Sequence, residues 1–178
     1  MGNFDKLKAM LEIMRDEVLP LAESVASVGN DLSGGAVIRR DTLTSVIVGA
    51  DDQVENPVFH GEIDVINRFF KLPVHPPAED LLLVVTHEPC PMCATAIALA
   101  GFKELWVFFP FNDPTIPDTT APRLYKNLFG VNGVRKGNEF FERFYIREAI
   151  EESSRSKELI AIFDEIYRRY AALYTASA

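Results

Sequence analysis

Hydrophobic residues near the N-terminus recur at helical spacing, with charged residues between them. These apolar positions are Phe4, Leu7, Leu11, Met14 and Val18. The pattern predicts an amphipathic helix that packs on one face of a sheet. Pro20 is expected to end or kink this helix, and residues 21–28 can continue it as far as Gly29.

A hairpin and a second helix are predicted next. The β-rich runs 36–40 and 44–48 are separated by a short polar turn around Asp41, which is typical of two antiparallel strands. A polar loop over 50–57 follows the second strand. Apolar residues then recur at helical spacing from about 60 to 70, which predicts a helix that begins at His60.

A strand–helix–strand unit is predicted in the middle of the chain. The continuous apolar run at 81–85 is typical of a strand buried on both faces, and 105–109 is the next strand. Pro89 is expected in the first turn of the helix between them, and Gly101 is expected to cap its end. Such crossovers are right-handed and join parallel strands.

The C-terminal third is less regular. A proline-rich loop over 110–122 is long enough to predict a lid or a pocket wall. Residues 124–129 fit a short helix, and 143–147 alternate like an edge strand, although 140–151 also fits a helix. The apolar positions from 159 to 173 predict a final helix.

Composition indicates one globular domain. The chain has 178 residues, of which 48% are hydrophobic and 25% charged, enough to form a core without disulfides. We expect a single domain over 1–178, with its core at about 30–110 and a pocket loop, last strand and packing helix within 111–178. The N-terminus lacks the apolar region of a signal peptide, and no apolar run approaches a membrane span, so we predict a cytoplasmic location.

The charge balance disfavours a nucleic-acid partner. Net charge is −8 with a pI near 4.9, and the largest basic clusters are the pairs 39–40, 135–136 and 168–169. Proteins that grip a phosphate backbone usually carry a basic face, because phosphate neutralisation supplies most of that affinity. The balance therefore favours a small-molecule substrate, although net charge does not exclude a local basic patch.

Two short segments hold the candidate chemistry. His60 and Glu62 stand in an H-x-E sequence, and Cys90 and Cys93 follow in P-C-x-x-C, which together form the zinc-deaminase signature. The two cysteines are three residues apart at a helix start, where the helix field favours metal-binding thiolates. With His60 as the third ligand, the set leaves a fourth position for water, as in catalytic zinc sites.

The expected reaction is hydrolysis. Zinc lowers the pKa of a bound water towards about 7, and Glu62 can carry its proton without binding the metal. A Cys-x-x-Cys pair after a strand is also typical of thiol–disulfide oxidoreductases, although His60 and Glu62 favour zinc. His87 and Glu88 are expected to be structural. Phe111, on the loop after the last buried strand, is the best candidate to stack on a planar base.

From Gly35 to Phe109 the chain resembles the cytidine and deoxycytidylate deaminase superfamily. Residues 86–93 are similar to the corresponding stretch of guanine and tRNA adenosine deaminases, and 60–63 resembles fungal cytosine deaminase. The resemblance implies a three-layer α/β/α fold with a mixed central sheet of about five strands. It also implies homodimers or higher oligomers, of which a homodimer is our expectation.

The same resemblance implies roles for individual residues. His60, Cys90 and Cys93 would bind Zn²⁺, and Glu62 would be the proton shuttle. Asn56 and the backbone of Gly61 would contact the base. We therefore predict zinc-dependent deamination of a small, cytosine- or guanine-like nucleobase or nucleoside. The alternatives are a tRNA adenosine deaminase, a non-catalytic zinc-binding interaction module and, last, a CxxC oxidoreductase.

Overall fold

A five-stranded mixed sheet forms the centre of the computed structural model, which describes residues 2–116, 120–153 and 156–177. Its strands are β1 (Gly34–Arg39), β2 (Ser45–Ala50), β3 (Leu81–His87), β4 (Glu104–Phe109) and β5 (Glu142–Tyr145). Their order is β2-β1-β3-β4-β5. β1 runs antiparallel to β2 and β3, whereas β3, β4 and β5 are parallel. The predicted hairpin and the parallel crossover are both confirmed.

Helices cover both faces of this sheet. They are α1 (Asn3–Ile13), α2 (Leu19–Ala26), α3 (Gly61–Phe70), α4 (Pro91–Ala100), α5 (Thr120–Leu124), α6 (Ile146–Glu151) and α7 (Ser156–Ser177). Helices α3 and α4 pack on one face, and α1, α2, α6 and α7 pack on the other. The three-layer α/β/α architecture is therefore as predicted. Among the helices that the structure describes, none combines the length and apolar character needed to cross a bilayer.

Strand β3 is buried on both faces, as its continuous apolar run predicts. Leu81 and Leu83 belong to the core beneath α3 and α4, whereas Leu82 and Val84 belong to the core on the opposite face. Burial of each such side chain contributes about 1.5–3 kcal/mol. In the parallel pairing His87 lies opposite Phe109, so β3 and β4 end together at one edge of the sheet.

The first helix continues through Pro20, where we expected it to end or kink. A π-helical segment at Met14–Val18 joins α1 to α2, and Pro20 lies in the first turn of α2. Proline has no N–H to donate and its ring crowds the preceding turn of a regular helix, so the wider π-helical turn just before Pro20 accommodates it within a continuous helix. The chain then leaves the helix near Gly29, whose φ of 104° lies in the left-handed region.

The expected position of Pro89 in a first helical turn is wrong. Helix α4 begins at Pro91, and Cys90 caps it with an extended backbone, φ −66° and ψ 170°. Because Cys90 precedes a proline, helical backbone angles are disfavoured at Cys90. The helix therefore begins at the next residue, Pro91, and Pro89 lies outside it. Gly101 ends the helix with a φ of 86°, as predicted.

The edge strand predicted at 143–147 and the alternative helix over 140–151 are both partly right. β5 forms the sheet edge beside β4, and α6 follows it directly. Residues 124–129 are helical as expected, since α5 leads into a π-helical segment at Tyr125–Phe129. Of the predicted loop over 110–122, residues 117–119 lie outside the described residues. The final helix is confirmed as α7.

Candidate active site

The starts of α3 and α4 bring the two sequence segments together. His60 immediately precedes α3, Cys90 immediately precedes α4, and Cys93 lies in the first turn of α4. The candidate ligand atoms of these three residues all lie within 4.8 Å of one another. His60 Nδ1 is 3.8 Å from Cys90 Sγ, and the two sulfurs are 3.5 Å apart.

Two of these separations match those around a zinc ion. Tetrahedral zinc, with Zn–S near 2.3 Å and Zn–N near 2.0 Å, separates its ligand atoms by roughly 3.5–3.8 Å. Both cysteines are buried and free of disulfides. The hydrogen bond between the two sulfurs lowers the pKa of Cys90 to about 4 and favours the metal-binding thiolate.

Glu62 lies two residues beyond His60, in the first turn of α3. It is 7% exposed. Burial, reinforced by the nearby Asp51 carboxylate, raises the pKa of Glu62 to about 7. A buried carboxyl group whose pKa lies near neutrality can exchange protons with a substrate. The side chain lines the same cavity as His60 and Cys90.

Asp51 is a buried carboxylate that we did not predict for this site. Ser33 Oγ donates to Asp51 Oδ1 over 2.6 Å, and the Gly61 backbone N–H donates to the same oxygen. Burial raises the pKa of Asp51 to about 6. In the sequence Asp51 lies in the polar loop. Its position directly after β2 could have identified it as a site residue, since ligand sites form at the ends of strands.

Gly61 has no room for a side chain. A Cβ atom there would lie 2.7 Å from the Gly34 Cα atom in β1. The close approach lets the Gly61 N–H reach Asp51, so a contact between Gly61 and a base would have to use another atom. Glycine between the histidine and the glutamate therefore follows from the packing of α3 on β1.

One cavity of about 490 Å³ borders the candidate ligands, a volume typical of small-molecule sites. Phe111 lines it and makes an edge-on contact with the Tyr125 ring, with the ring centroids 6.0 Å apart. Asn56 is not one of the lining residues, although its neighbour Pro57 is. The Asn56 side chain instead accepts a hydrogen bond of 3.1 Å from the Val58 N–H.

The cavity wall is acidic. Its lining carboxyl groups are Asp31, Asp51, Glu62 and Glu88. The lining within the described residues includes neither lysine nor arginine. A phosphate inside this cavity would therefore find no lysine or arginine side chain to pair with among these lining residues, which is unfavourable in a partly desolvated site.

His87 and Glu88 have structural partners, as expected. His87 is hydrogen-bonded to Thr86 and to Tyr174, over 2.8 and 2.7 Å. Glu88 forms an ion pair with Arg143 and accepts a 2.8 Å hydrogen bond from Tyr145 Oη. Tyr174, which also lines the cavity, comes from α7, and no local pattern predicts that the last helix reaches this site.

The part of the chain that holds this site is similar to known deaminases. A family model described as MafB19-like deaminase matches residues 6–114. The chain is 36% identical over 80 residues to a tRNA-specific adenosine deaminase of Rickettsia felis, which covers 43% of this chain and 56% of the relative. A counterpart from Rickettsia bellii is 33% identical over 93 residues, covering 51% and 63%. The chain thus spans less than two thirds of these relatives' lengths.

Solved structures share the fold. A guanine deaminase from Bacillus subtilis is 21% identical, with a TM-score of 0.56 over 82% of this chain and 85% of that one. A guanine deaminase from Nitrosomonas europaea is 19% identical, with a TM-score of 0.52 over 87% and 81%. At these identities the likeness concerns the fold, and it confirms the predicted fold class.

Proposed function

Because the chain belongs to the MafB19-like deaminase family, we propose that it catalyses zinc-dependent hydrolytic deamination of a small aminated nucleobase or nucleoside. This membership agrees with the superfamily that the sequence resembles. The observation that carries the proposal is the convergence of His60, Cys90 and Cys93 beside Glu62 at one cavity wall. A closed structural zinc site would need a fourth protein ligand and no such cavity.

Each residue has a defined task in this reaction. His60, Cys90 and Cys93 would hold Zn²⁺, which supplies Lewis-acid activation of water when bound. Glu62 accepts a proton as water adds to the amine-bearing ring carbon. The same carboxyl group then delivers protons to the ring nitrogen and to the amine, which leaves as ammonia while the carbonyl forms.

The cavity favours an uncharged heterocycle. Its volume of about 490 Å³ suits a small ligand, and its described lining offers no lysine or arginine to pair with a phosphate. Phe111 would stack on the ring, since its side chain forms part of the wall. Cytosine-like and guanine-like rings both fit this description. Asn56, next to the lining residue Pro57, stays a predicted contact.

An adenosine in tRNA is the second candidate substrate. The similarity to tRNA-specific adenosine deaminases over the motif-bearing part of the chain favours it. The acidic cavity and the net charge of −8 favour the free base or nucleoside instead. Binding to tRNA separates the two candidates, because their salt dependences differ.

The proposal is tested by metal analysis together with ammonia release from a panel of aminated heterocycles. We expect about one zinc per chain and turnover of at least one heterocycle. Glu62→Gln keeps the shape of the side chain but cannot shuttle protons, so we expect it to retain zinc and lose about 10²–10⁴-fold in kcat. Glu55→Gln, which changes an exposed carboxylate in the preceding loop, is the matched control.

Other outcomes identify the alternatives. Full activity of Glu62→Gln would contradict the assigned mechanism. Bound zinc without ammonia release from any heterocycle or tRNA would favour the non-catalytic zinc module. Protein that lacks zinc and whose two cysteines cycle with a dithiol reductant would favour the oxidoreductase.

A further inference from the structure

Asp51 has a carboxylate oxygen in the cavity wall that is only weakly engaged. Its Oδ1 atom already accepts hydrogen bonds from the Ser33 hydroxyl and from the Gly61 N–H. Its Oδ2 atom has a 3.3 Å contact with Gln53 Nε2, which is long for a hydrogen bond to a carboxylate. A carboxylate oxygen has room for two donors, so Oδ2 can accept another hydrogen bond.

Asp51 lies in the cavity wall next to the residues that would hold the reacting carbon of the substrate. Asp51 is bonded to the backbone of Gly61, which lies between the candidate ligand His60 and the proton carrier Glu62. Asp51, His60 and Glu62 all line the same cavity. A ring held for attack beside His60 and Glu62 therefore presents the neighbouring part of its edge to Asp51.

The two candidate ring classes differ at this edge. Guanine and isocytosine have ring nitrogens on both sides of the amine-bearing carbon, so one can carry a hydrogen towards Asp51 while Glu62 protonates the other. Cytosine and adenine have a single ring nitrogen beside that carbon, which Glu62 protonates, so the side that faces Asp51 is a ring carbon without an N–H. The Asp51 carboxylate then lacks its donor. Sites that hydrogen-bond a substrate N–H reject analogues lacking that hydrogen strongly.

We propose that Asp51 is a specificity-determining residue that accepts the ring N–H next to the amine-bearing carbon, so that the preferred substrates are guanine- and isocytosine-type heterocycles. This inference rests on the proposed deaminase function and narrows its substrate class. A purely structural Asp51, which only holds Ser33 and Gly61, would affect every substrate alike. The ratio of kcat/KM between two substrates therefore distinguishes a specificity role of Asp51 from a purely structural one.

Asp51→Asn tests the proposal with little change in shape. Its amide oxygen can still accept from Ser33 and Gly61, while its NH₂ group replaces Oδ2 and converts an acceptor into a donor. We compare kcat/KM for the isomers isocytosine and cytosine, and for guanine and adenine. The wild type is expected to prefer the first of each pair, and Asp51→Asn is expected to reduce that preference by at least about tenfold. Asp52→Asn removes the same charge from the exposed neighbour and is expected to preserve the preference.

Binding provides a second readout in Glu62→Gln protein, which holds the ring unreacted. Calorimetry compares guanine with 1-methylguanine, whose methyl group removes the relevant hydrogen. We expect tighter binding of guanine by about tenfold or more, and loss of this difference when Asp51→Asn is added.

The failures of the two proposals are distinguishable. The deaminase proposal fails if the zinc-loaded wild type releases no ammonia from any substrate, and the binding comparison then decides the role of Asp51. The inference is overturned if ammonia is released but Asp51→Asn leaves the substrate ratio unchanged. It is also overturned if guanine and 1-methylguanine bind equally in the Glu62→Gln protein.

Discussion

His87 is a histidine that its surroundings keep neutral. Thr86 Oγ1 donates to the Gly34 carbonyl, so it is best placed to accept from His87 Nδ1–H. Nε2 then accepts from the Tyr174 hydroxyl over 2.7 Å, the shorter of that hydroxyl's two contacts, the other being 3.3 Å to the Leu32 carbonyl. This arrangement needs one proton on the ring, as in neutral imidazole. Burial lowers the pKa of His87 to about 4, because the charged ring would be poorly solvated.

Stability should therefore fall in mild acid. The pKa of His87 is about 4 in the folded state and about 6.5 when unfolded, so between these values the unfolded state binds more protons. The free energy of unfolding rises with pH in this window and decreases as pH falls through it. From pH 7 to pH 5 the contribution of His87 decreases by about 2 kcal/mol.

Urea denaturation at these two pH values measures the effect. His87→Gln removes the titrating group and is expected to show a correspondingly smaller loss. Any zinc lost in acid affects both proteins, so the difference between them isolates His87. Equal losses in the two proteins would show that the ring is already protonated in the folded state or titrates normally.

At the level of residues, spacing along the chain was enough to select the candidate ligands. The i, i+3 cysteines and the H-x-E sequence lie on helix starts whose positions follow from local patterns. Asp51 and Tyr174 were missed because their places in the cavity depend on tertiary packing. Tyr174 is on the last helix, and no local pattern indicates where that helix docks.

Glu88 joins three elements of the fold. It directly follows β3, forms its ion pair with Arg143 on β5, and accepts a 3.3 Å hydrogen bond from the backbone of Phe111 after β4. The Glu88 and Arg143 side chains are 5% and 11% exposed. The pair thus fixes the short edge strand and the stacking candidate Phe111 relative to the end of the sheet that carries the candidate metal ligands.

Breaking this pair should destabilise the protein strongly. Removal of one partner leaves the other charge buried and unpaired, so Arg143→Met is expected to lower the free energy of unfolding by about 3–5 kcal/mol. Adding Glu88→Gln removes the stranded charge and should recover much of this loss. Urea denaturation of the single and double variants measures both effects.

Arg147→Met is the matched control on the neighbouring helix. Arg147 pairs with Glu151 and Asp164, and all three side chains are about half exposed, so its loss should cost no more than about 1 kcal/mol. If Arg143→Met and Arg147→Met had equal effects, the buried pair would not hold β5 in place.

At the level of elements, long periodic segments were predicted well and special turns were not. The hairpin, the crossover and α7 follow from hydrophobic patterns that burial enforces. The π-helical segment before Pro20 could not be predicted. Tertiary packing offsets the free-energy cost of the wider turn, and a local sequence pattern does not show that packing. The start of α4 could have been predicted from the restriction that Pro91 imposes on Cys90.

The molecule as a whole carries excess negative charge, both overall and around the cavity. We therefore expect tRNA to bind no more tightly than non-specific complexes do, with a dissociation constant of about 10⁻⁴–10⁻⁶ M at physiological salt. Fluorescence anisotropy of labelled tRNA over a salt series measures the affinity and its slope. Nanomolar binding with a steep salt dependence would instead favour tRNA deamination, and binding of an uncharged heterocycle serves as the salt-insensitive reference.

Assembly and location remain predictions at this scale. Hydrophobic periodicity defines which face of each helix is buried, but it does not distinguish burial within the chain from burial against a second copy. The expected homodimer therefore rests on the family resemblance, and the cytoplasmic location stays a prediction made from the sequence pattern. The boundaries of the predicted single domain likewise stay a prediction.

The close packing of Gly61 on Gly34 limits how this site can be altered or transplanted. A Cβ atom at Gly61 would lie 2.7 Å from Gly34 Cα, and one at Gly34 would lie 2.6 Å from the Gly49 carbonyl oxygen. An alanine between the histidine and the glutamate would therefore require a wider gap between α3 and the hairpin. A chimera that imports an H-x-E helix with a larger middle residue must import β1 and β2 with it. The residue between the histidine and the glutamate thus depends on the distance between α3 and the hairpin of β1 and β2.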